Sequence, residues 1–136
     1  MKINIFGYNI FAKGGTSRSN INLVKSLLEI GHEVHYFNYQ DYNKSDITKL
    51  IIYEGLSTKH LHIHQFNSGK ELAHGDLLII TRETFFNHAY LVKKINSKIK
   101  IVGEIHGPLE YINENIDLAL DCIDCVRVST ARIKNE

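Results

Sequence analysis

A short loop near the N-terminus carries the residue types of an anion-binding site. Residues 13–18 read Lys-Gly-Gly-Thr-Ser-Arg, so two glycines that allow close backbone approach precede hydroxyl and basic side chains. A helix that starts here would direct its free N–H groups and the positive end of its dipole at a ligand. We therefore predict an anion site with four binding residues, Gly14, Gly15, Thr16 and Arg18. An ordinary capped turn is the alternative.

This loop does not match the best-known phosphate-binding motifs. Its glycines fit neither the GxGxxG spacing of dinucleotide-binding loops nor the GxxxxGKS/T spacing of P-loops. The sequence therefore argues against both of those motifs, and any anion site here has another form.

Three further candidates follow apolar runs later in the chain. His106 comes directly after residues 100–105, so its imidazole could face a crevice at the end of a buried strand. Arg82 and Glu83 follow the apolar residues 77–80 in the same way. His106 could instead be a packing residue, and Arg82 and Glu83 could bind a ligand or pair with each other.

Histidines and cysteines also occur at spacings that suggest metal binding. His60, His62 and His64 alternate along one short run and would share a strand face. Ligation from three neighbouring positions of one strand is sterically awkward, and no carboxylate is adjacent, so we expect no metal there. Cys122 and Cys125 have CxxC spacing without a second pair, and we interpret them as reduced core or helix-end thiols rather than a redox pair.

The elements that must position these residues alternate along the chain. Apolar runs at 2–6, 33–39, 61–63, 76–81, 100–105 and 125–129 predict strands. Helical spacing predicts helices from a cap at Thr16 or Ser17 to a stop at Gly31, within 40–59, and over 85–95 and 109–120. This α/β pattern predicts one doubly wound, Rossmann-like parallel sheet, with ligands beyond the carboxyl ends of its strands. Central sheet positions are predicted for Ile3, Ile5, Val34, Leu78, Ile80, Ile101 and Val126.

Composition narrows the class of protein. The 136 residues, 43% of them hydrophobic, suffice for one core and one domain. Sixteen Lys and Arg against fifteen Asp and Glu give a net charge of +1, so we expect no nucleic-acid partner. The longest apolar run has four residues, and the N-terminus has no stretch of signal-peptide length, so we expect a cytoplasmic protein.

The order of these motifs resembles the N-terminal domain of retaining GT-B-fold glycosyltransferases. That family shows a Gly-Gly loop, a helix, a Gly-His-Glu-Val turn, a His after a core strand and a Ser near the domain's end. The corresponding features here are Gly14-Gly15, the helix beginning near Arg18, residues 31–34, His106-Gly107 and Val128-Ser129-Thr130. Thr16 departs from the pattern, because the family usually has an apolar residue after the glycines.

The resemblance implies a function and a division of labour. Residues 1–136 would be the acceptor-side domain of an enzyme that moves a sugar from a nucleotide-sugar donor to a glycan or lipid-linked acceptor. Gly14, Gly15 and Arg18 would hold phosphate or acceptor groups, and His106 would face the reacting sugar. The donor is a co-substrate, so no cofactor or metal is implied.

The resemblance also implies that more than this domain is needed for activity. The C-terminal domain that binds the nucleotide sugar is absent from this chain, so the chain alone is expected to be inactive. A lipid-linked acceptor would be compatible with peripheral membrane association. The alternative is a free-standing α/β binding or regulatory protein of flavodoxin-like topology.

Overall fold

The computed structural model describes residues 1–106 and 120–128, which form one layered α/β unit. Six strands lie in a single sheet, namely β1 (Lys2–Gly7), β2 (Glu33–Asn38), β3 (Leu61–Gln65), β4 (Leu77–Ile80), β5 (Lys100–Ile105) and β6 (Cys125–Val128). Every pairing is parallel, and the order is β3-β2-β1-β4-β5-β6. The predicted Rossmann-like parallel sheet is therefore confirmed. The flavodoxin-like topology named in the alternative is not observed, because that topology has the order 2-1-3-4-5.

Three α-helices connect the strands in the described part of the chain. They are α1 (Gly15–Ile30), α2 (Lys44–Glu54) and α3 (His88–Ile95). Short 3-10 turns cover Lys70–Ala73, Glu83–Phe85 and Leu120–Cys122. The helix predicted over 109–120 falls outside the described residues except at Leu120, which lies in the last of these turns.

The ends of α1 show what local sequence could predict. Gly31 ends the helix in the left-handed conformation, with φ of 101°, and its N–H bonds to Leu28 O at 3.0 Å, as predicted. The predicted cap at Thr16 or Ser17 is wrong, because both residues lie inside the first turn. Gly14 is the N-cap, with φ of 143°, a conformation that favours glycine. Ser17 Oγ instead donates to the carbonyl of Asn9 at 2.7 Å.

Side chains alternate between two apolar layers on either side of the sheet. Ile3, Ile5 and Val34 pack with Ile21 and Val24 of α1. On the opposite face, a second cluster joins the strands to α3; it includes Phe6, Leu78, Ile80, Ile101, Phe86 and Ala89. All seven predicted sheet residues lie in strands, although Val126 in β6 is exposed. Cys122 and Cys125 are free thiols, and Cys125 is exposed rather than in the core.

Because Gly103 in β5 has no side chain, the ring of Phe86 packs directly against the sheet. A Cβ placed on Gly103 would lie 2.5 Å from Cζ and 2.8 Å from Cε1 of the fully buried Phe86. We expect Gly103→Ala to lower the free energy of unfolding by about 1–3 kcal/mol, because Phe86 must leave its position. Urea denaturation measures this change.

Gly15→Ala provides the matched control for Gly103→Ala. A Cβ on Gly15 would meet no atom within 4 Å, and the residue begins α1, where alanine is a better helix former. Its stability should equal or exceed that of the parent. Equal stability of the two variants would contradict the assigned packing of Phe86 on Gly103.

Candidate functional site

The candidate site lies at the carboxyl ends of β1, β4 and β5. Strand order reverses between β1 and β4, and in such sheets this reversal opens a crevice beyond the strand ends. Tyr8 follows β1, Arg82 lies just after β4, and His106 follows β5. The structure thus brings the loops after these strands to one edge, as the sequence predicts.

Two tyrosines and an arginine form an exposed platform at this edge. The rings of Tyr8 and Tyr39 stack with centroids 6.0 Å apart, and both residues are more than a third exposed, at 40% and 45%. The guanidinium carbon of Arg82 lies 4.6 Å from the centroid of the Tyr8 ring. A guanidinium held over an aromatic face keeps its in-plane N–H donors directed outward. This platform, defined as Tyr8, Tyr39 and Arg82, can stack a ring and bind an anion or hydroxyl.

Glu83 ties the loop after β4 to the end of β5. Its carboxylate oxygen Oε2 accepts the backbone N–H of His106 at 3.1 Å, and the residue is buried. Two of the residues singled out in the sequence are therefore in direct contact. In this position Glu83 orients the backbone that carries His106.

A buried carboxylate lies beside the imidazole of His106. His106 Nε2 is 3.5 Å from Glu104 Oε1, and the second oxygen of Glu104 is 3.2 Å from Arg127 Nη1. Among the described residues, Nε2 is buried and has no hydrogen-bond partner, although a quarter of the side chain, 26%, is exposed. Glu104 therefore lies close to the ring, while the hydrogen-bonding capacity of Nε2 stays unused.

Three residues of the candidate site are not predicted from the sequence, namely Glu104, Tyr8 and Asn38. Glu104 interrupts the apolar strand Lys100–Ile105. An acidic residue in a buried strand needs a partner, so its position is a sequence signal for a functional or paired carboxylate. Asn38 ends β2 and is fully buried; its Oδ1 accepts the Ile10 N–H at 2.8 Å, and its Nδ2 donates to Gln40 O at 2.8 Å. Asn38 thereby fixes the start of the loop after β1.

The four predicted anion-binding residues lie together at the start of α1. No atom lies within 4 Å of a Cβ built on Gly14 or Gly15, so the loop has open space around its backbone. Arg18, in contrast, faces α2. Its Nη1 is 2.9 Å from Glu54 Oε1, and its other terminal nitrogen contacts Oε2. A phosphate that binds Arg18 must therefore compete with the carboxylate of Glu54.

An open groove of about 860 Å³ runs between this loop, α1 and α2. Apolar side chains cover much of its wall, namely Ile10, Phe11, Ile21, Leu50, Ile52 and Tyr53. Lys13, Arg18 and Lys49 add positive charge, and Asp46 and Glu54 add negative charge. The groove therefore combines an apolar wall with charged groups and begins at the loop that follows β1.

Comparison with known proteins gives a similarity of fold. No protein-family model matches the chain, and no curated protein matches it. Among solved structures, the chain is similar to an alpha-glucosyltransferase (AGT) in complex with UDP, with 17% sequence identity and a TM-score of 0.58. The match covers 91% of this chain but only 34% of that chain. This chain therefore shares the fold of one part of a glycosyltransferase and spans about a third of its length.

Within residues 1–106 and 120–128, no helix is long and apolar enough to cross a bilayer.

The ion pair between Arg18 and Glu54 makes an acid-dependent contribution to stability. The guanidinium of Arg18, and then the ammonium of Lys25 at 2.9 Å, lower the pKa of Glu54 from 4.5 to about 2. Because the folded pKa lies below the ordinary value, this contribution is complete above pH 4.5 and disappears as the pH falls to about 2. We expect Glu54→Gln to be less stable than the parent at neutral pH and equally stable near pH 2.

Chemical denaturation across this pH range measures the difference. Glu29→Gln removes an exposed carboxylate from the same side of the molecule and is the control, which should follow the parent throughout. A stability difference for Glu54→Gln that stays constant down to pH 2 would contradict the ion-pair assignment.

Proposed function

We propose that this chain is the acceptor-side half of a glycosyltransferase that moves a sugar from a nucleotide-sugar donor to a glycan or lipid-linked acceptor. The observation that supports this most is the fold similarity to a glycosyltransferase along nearly the whole chain. The donor would bind mainly to a second domain that lies outside this chain. The sugar donor is a co-substrate, and the proposal requires no further cofactor.

The site at the carboxyl edge has the groups that an acceptor requires. In glycosyl transfer, the bond from the anomeric carbon to the diphosphate oxygen breaks and a bond to an acceptor oxygen forms. The nucleoside diphosphate leaves, and the proton of the acceptor hydroxyl passes to its phosphate oxygen or to solvent. His106 would hold the acceptor hydroxyl or stabilise the charge that develops through the exposed quarter of its imidazole, while the buried Nε2 lies beside Glu104. Glu83 would be a positioning residue, because it holds the backbone of His106.

The platform and the groove supply two complementary acceptor contacts. Tyr8 and Tyr39 offer exposed ring faces against which a sugar ring can stack, while Arg82 offers donors to its hydroxyls or to a phosphate. The groove offers an apolar wall with Lys13 and Arg18 at the same loop. An apolar chain bearing a phosphate matches that combination, which favours a lipid-linked acceptor. Peripheral membrane association is part of this proposal only for such an acceptor.

Substitution of His106 tests the proposed reaction. In the enzyme that contains this domain, we expect His106→Ala to lower kcat/KM for sugar transfer by about 10²–10³-fold, because one transition-state contact is lost. The melting temperature should change little, because the imidazole makes no hydrogen bond through Nε2. Transfer from a panel of nucleotide sugars and thermal melting of the same samples measure both effects.

The control for this test is His74→Ala. His74 is exposed and precedes β4, so it lies at the opposite edge of the sheet from His106. It should retain parental transfer. A His106→Ala variant that melts well below the parent yet keeps near-normal transfer would remove His106 from the site. Absence of transfer with every nucleotide sugar in the panel would overturn the proposed function.

The groove gives a separate test of acceptor class. Tyr53 lines the groove with 85% of its surface exposed, so its removal should disturb the fold little. We expect Tyr53→Ser to raise KM for a lipid-linked acceptor by about 5–30-fold, because roughly 1–2 kcal/mol of apolar contact is lost. KM for a water-soluble glycan should not change.

Tyr90→Ser removes a tyrosine of α3 that is 56% exposed and lies outside the groove, and it is the matched control. It should leave both KM values at the parental level. Equal effects of Tyr53→Ser and Tyr90→Ser on the lipid-linked acceptor would exclude the groove as its binding site.

A further inference from the structure

A cluster of imidazoles and one carboxylate lies away from the crevice, on one face of β2 and β3. His35 and His62 are opposite each other in the register of the two strands, and His64 is opposite Phe37. Glu33 precedes His35 by two residues and shares its face. One ligand atom each from Glu33, His35 and His62 lies within 4.8 Å of the others.

This arrangement removes both objections that the sequence raised against a metal. The histidines considered there all belong to one strand, whereas the clustered groups come from two adjacent strands. A carboxylate is adjacent after all, because the register of β2 and β3 brings Glu33 to the histidines. The donors therefore converge across the strand pair and do not have to bend along one strand.

Hydrogen bonds already orient the central histidine. His35 Nε2 lies 2.5 Å from Glu33 Oε2, and His35 Nδ1 lies 2.9 Å from His64 Nε2. The rings of His35 and His62 stack with centroids 4.5 Å apart. In the metal-bound form Nδ1 would donate its proton to His64, and the lone pair of His35 Nε2 would then be available to the metal. Metal-binding histidines in proteins are held in this way by a partner on the second ring nitrogen.

We propose that Glu33, His35 and His62 form a binding site for a divalent transition metal of the Zn²⁺ class, with His64 as the residue that positions His35. Three protein donors of nitrogen and oxygen type suit Zn²⁺, and water would complete a tetrahedral set. The metal would take the place of the proton between His35 Nε2 and Glu33 Oε2, and two coordinate bonds would replace that hydrogen bond. The displaced proton would go to solvent or, as the tautomers of the histidine pair shift, to the outer ring nitrogen of His64.

The movement that binding requires is small. Donors about 2.0–2.2 Å from a tetrahedral metal are roughly 3.4 Å apart, so Glu33 and His35 must separate by about 1 Å. The side chain of Glu33 is 45% exposed and can move outward, whereas that of His35 is only 13% exposed and stays fixed. The carboxylate therefore makes the adjustment, and the histidine pair provides the fixed part of the site.

A purely structural ion pair is the competing interpretation. It needs only Glu33 and His35, and it does not require His62, which is exposed and stacked on His35. The two interpretations differ in what they predict for His62. A metal site requires His62, and an ion pair does not.

Titration of the untagged chain with Zn²⁺, followed by isothermal calorimetry, tests the proposal. We expect one Zn²⁺ per chain in the parent, and at least about 10-fold weaker binding in both Glu33→Gln and His62→Asn. His64→Asn should weaken binding by about 10-fold or more, because it frees the ring of His35. His74→Asn removes an exposed histidine elsewhere and should bind as the parent does.

Spectroscopy separates ligation from a loss of fold. Co²⁺ in place of Zn²⁺ should give tetrahedral absorption bands with the parent that are lost in Glu33→Gln and His62→Asn, while circular dichroism of the metal-free variants stays parental. Absence of binding by the parent up to about 1 mM Zn²⁺ would overturn the proposal. So would unchanged affinity in Glu33→Gln and His62→Asn, or dependence on His60 with no dependence on Glu33.

Discussion

Strand β1 pairs in parallel with β2 on one side and with β4 on the other, and the position of every candidate site residue follows from this double pairing. A strand bonded on both edges and covered on both faces satisfies its backbone polar groups only within the sheet. The chain must therefore cross over the sheet in one direction toward β2 and β3 and in the other toward β4, β5 and β6. The loops after β1 and β4 consequently lead away in opposite directions. Tyr8 and Arg82 lie at the start of these loops, and their side chains are in contact there.

The charges at this edge explain why the predicted anion-binding residues are not equivalent. Arg18 is held by two carboxylate oxygens of Glu54, and Arg127 is held by Glu104. Arg82 instead contacts the face of an aromatic ring, which leaves the in-plane donors of its guanidinium directed away from that ring. An incoming phosphate would gain more from Arg82 than from Arg18, where a salt bridge must first be broken. Arg82 is therefore the stronger candidate for binding a phosphate, although Arg18 is the arginine that lies beside the glycine loop.

What the sequence could predict depended on the range of the interaction. Apolar runs and the stop at Gly31 are local features, so the strands and the end of α1 were predictable within a residue or two. The contact of Arg18 with Glu54 joins residues 36 apart, and the bond from the His106 N–H to Glu83 joins residues 23 apart. Such contacts depend on how helices and strands pack together, which the periodicity of one segment does not contain. The prediction of an N-cap at Thr16 or Ser17 failed for a different reason. The helix starts after Gly14, a glycine with positive φ, and no side-chain cap is used.

The histidine cluster also depends on contacts between residues far apart in the sequence, and the packing of the sheet explains its position. The opposite face of β2 and β3 carries Val34, Tyr36 and Leu61, which are buried in the layer formed with α1 and α2. The aromatic layer beneath α3 is centred on β1, β4 and β5, so the face of β2 and β3 beyond Phe37 receives less cover. Polar side chains are tolerated there, and an edge strand such as β3 benefits from them because they discourage pairing with another chain. Any polar residues would discourage such pairing. A carboxylate and three imidazoles on one face of two adjacent strands, with both nitrogens of His35 already bonded, form a more specific arrangement than edge protection requires.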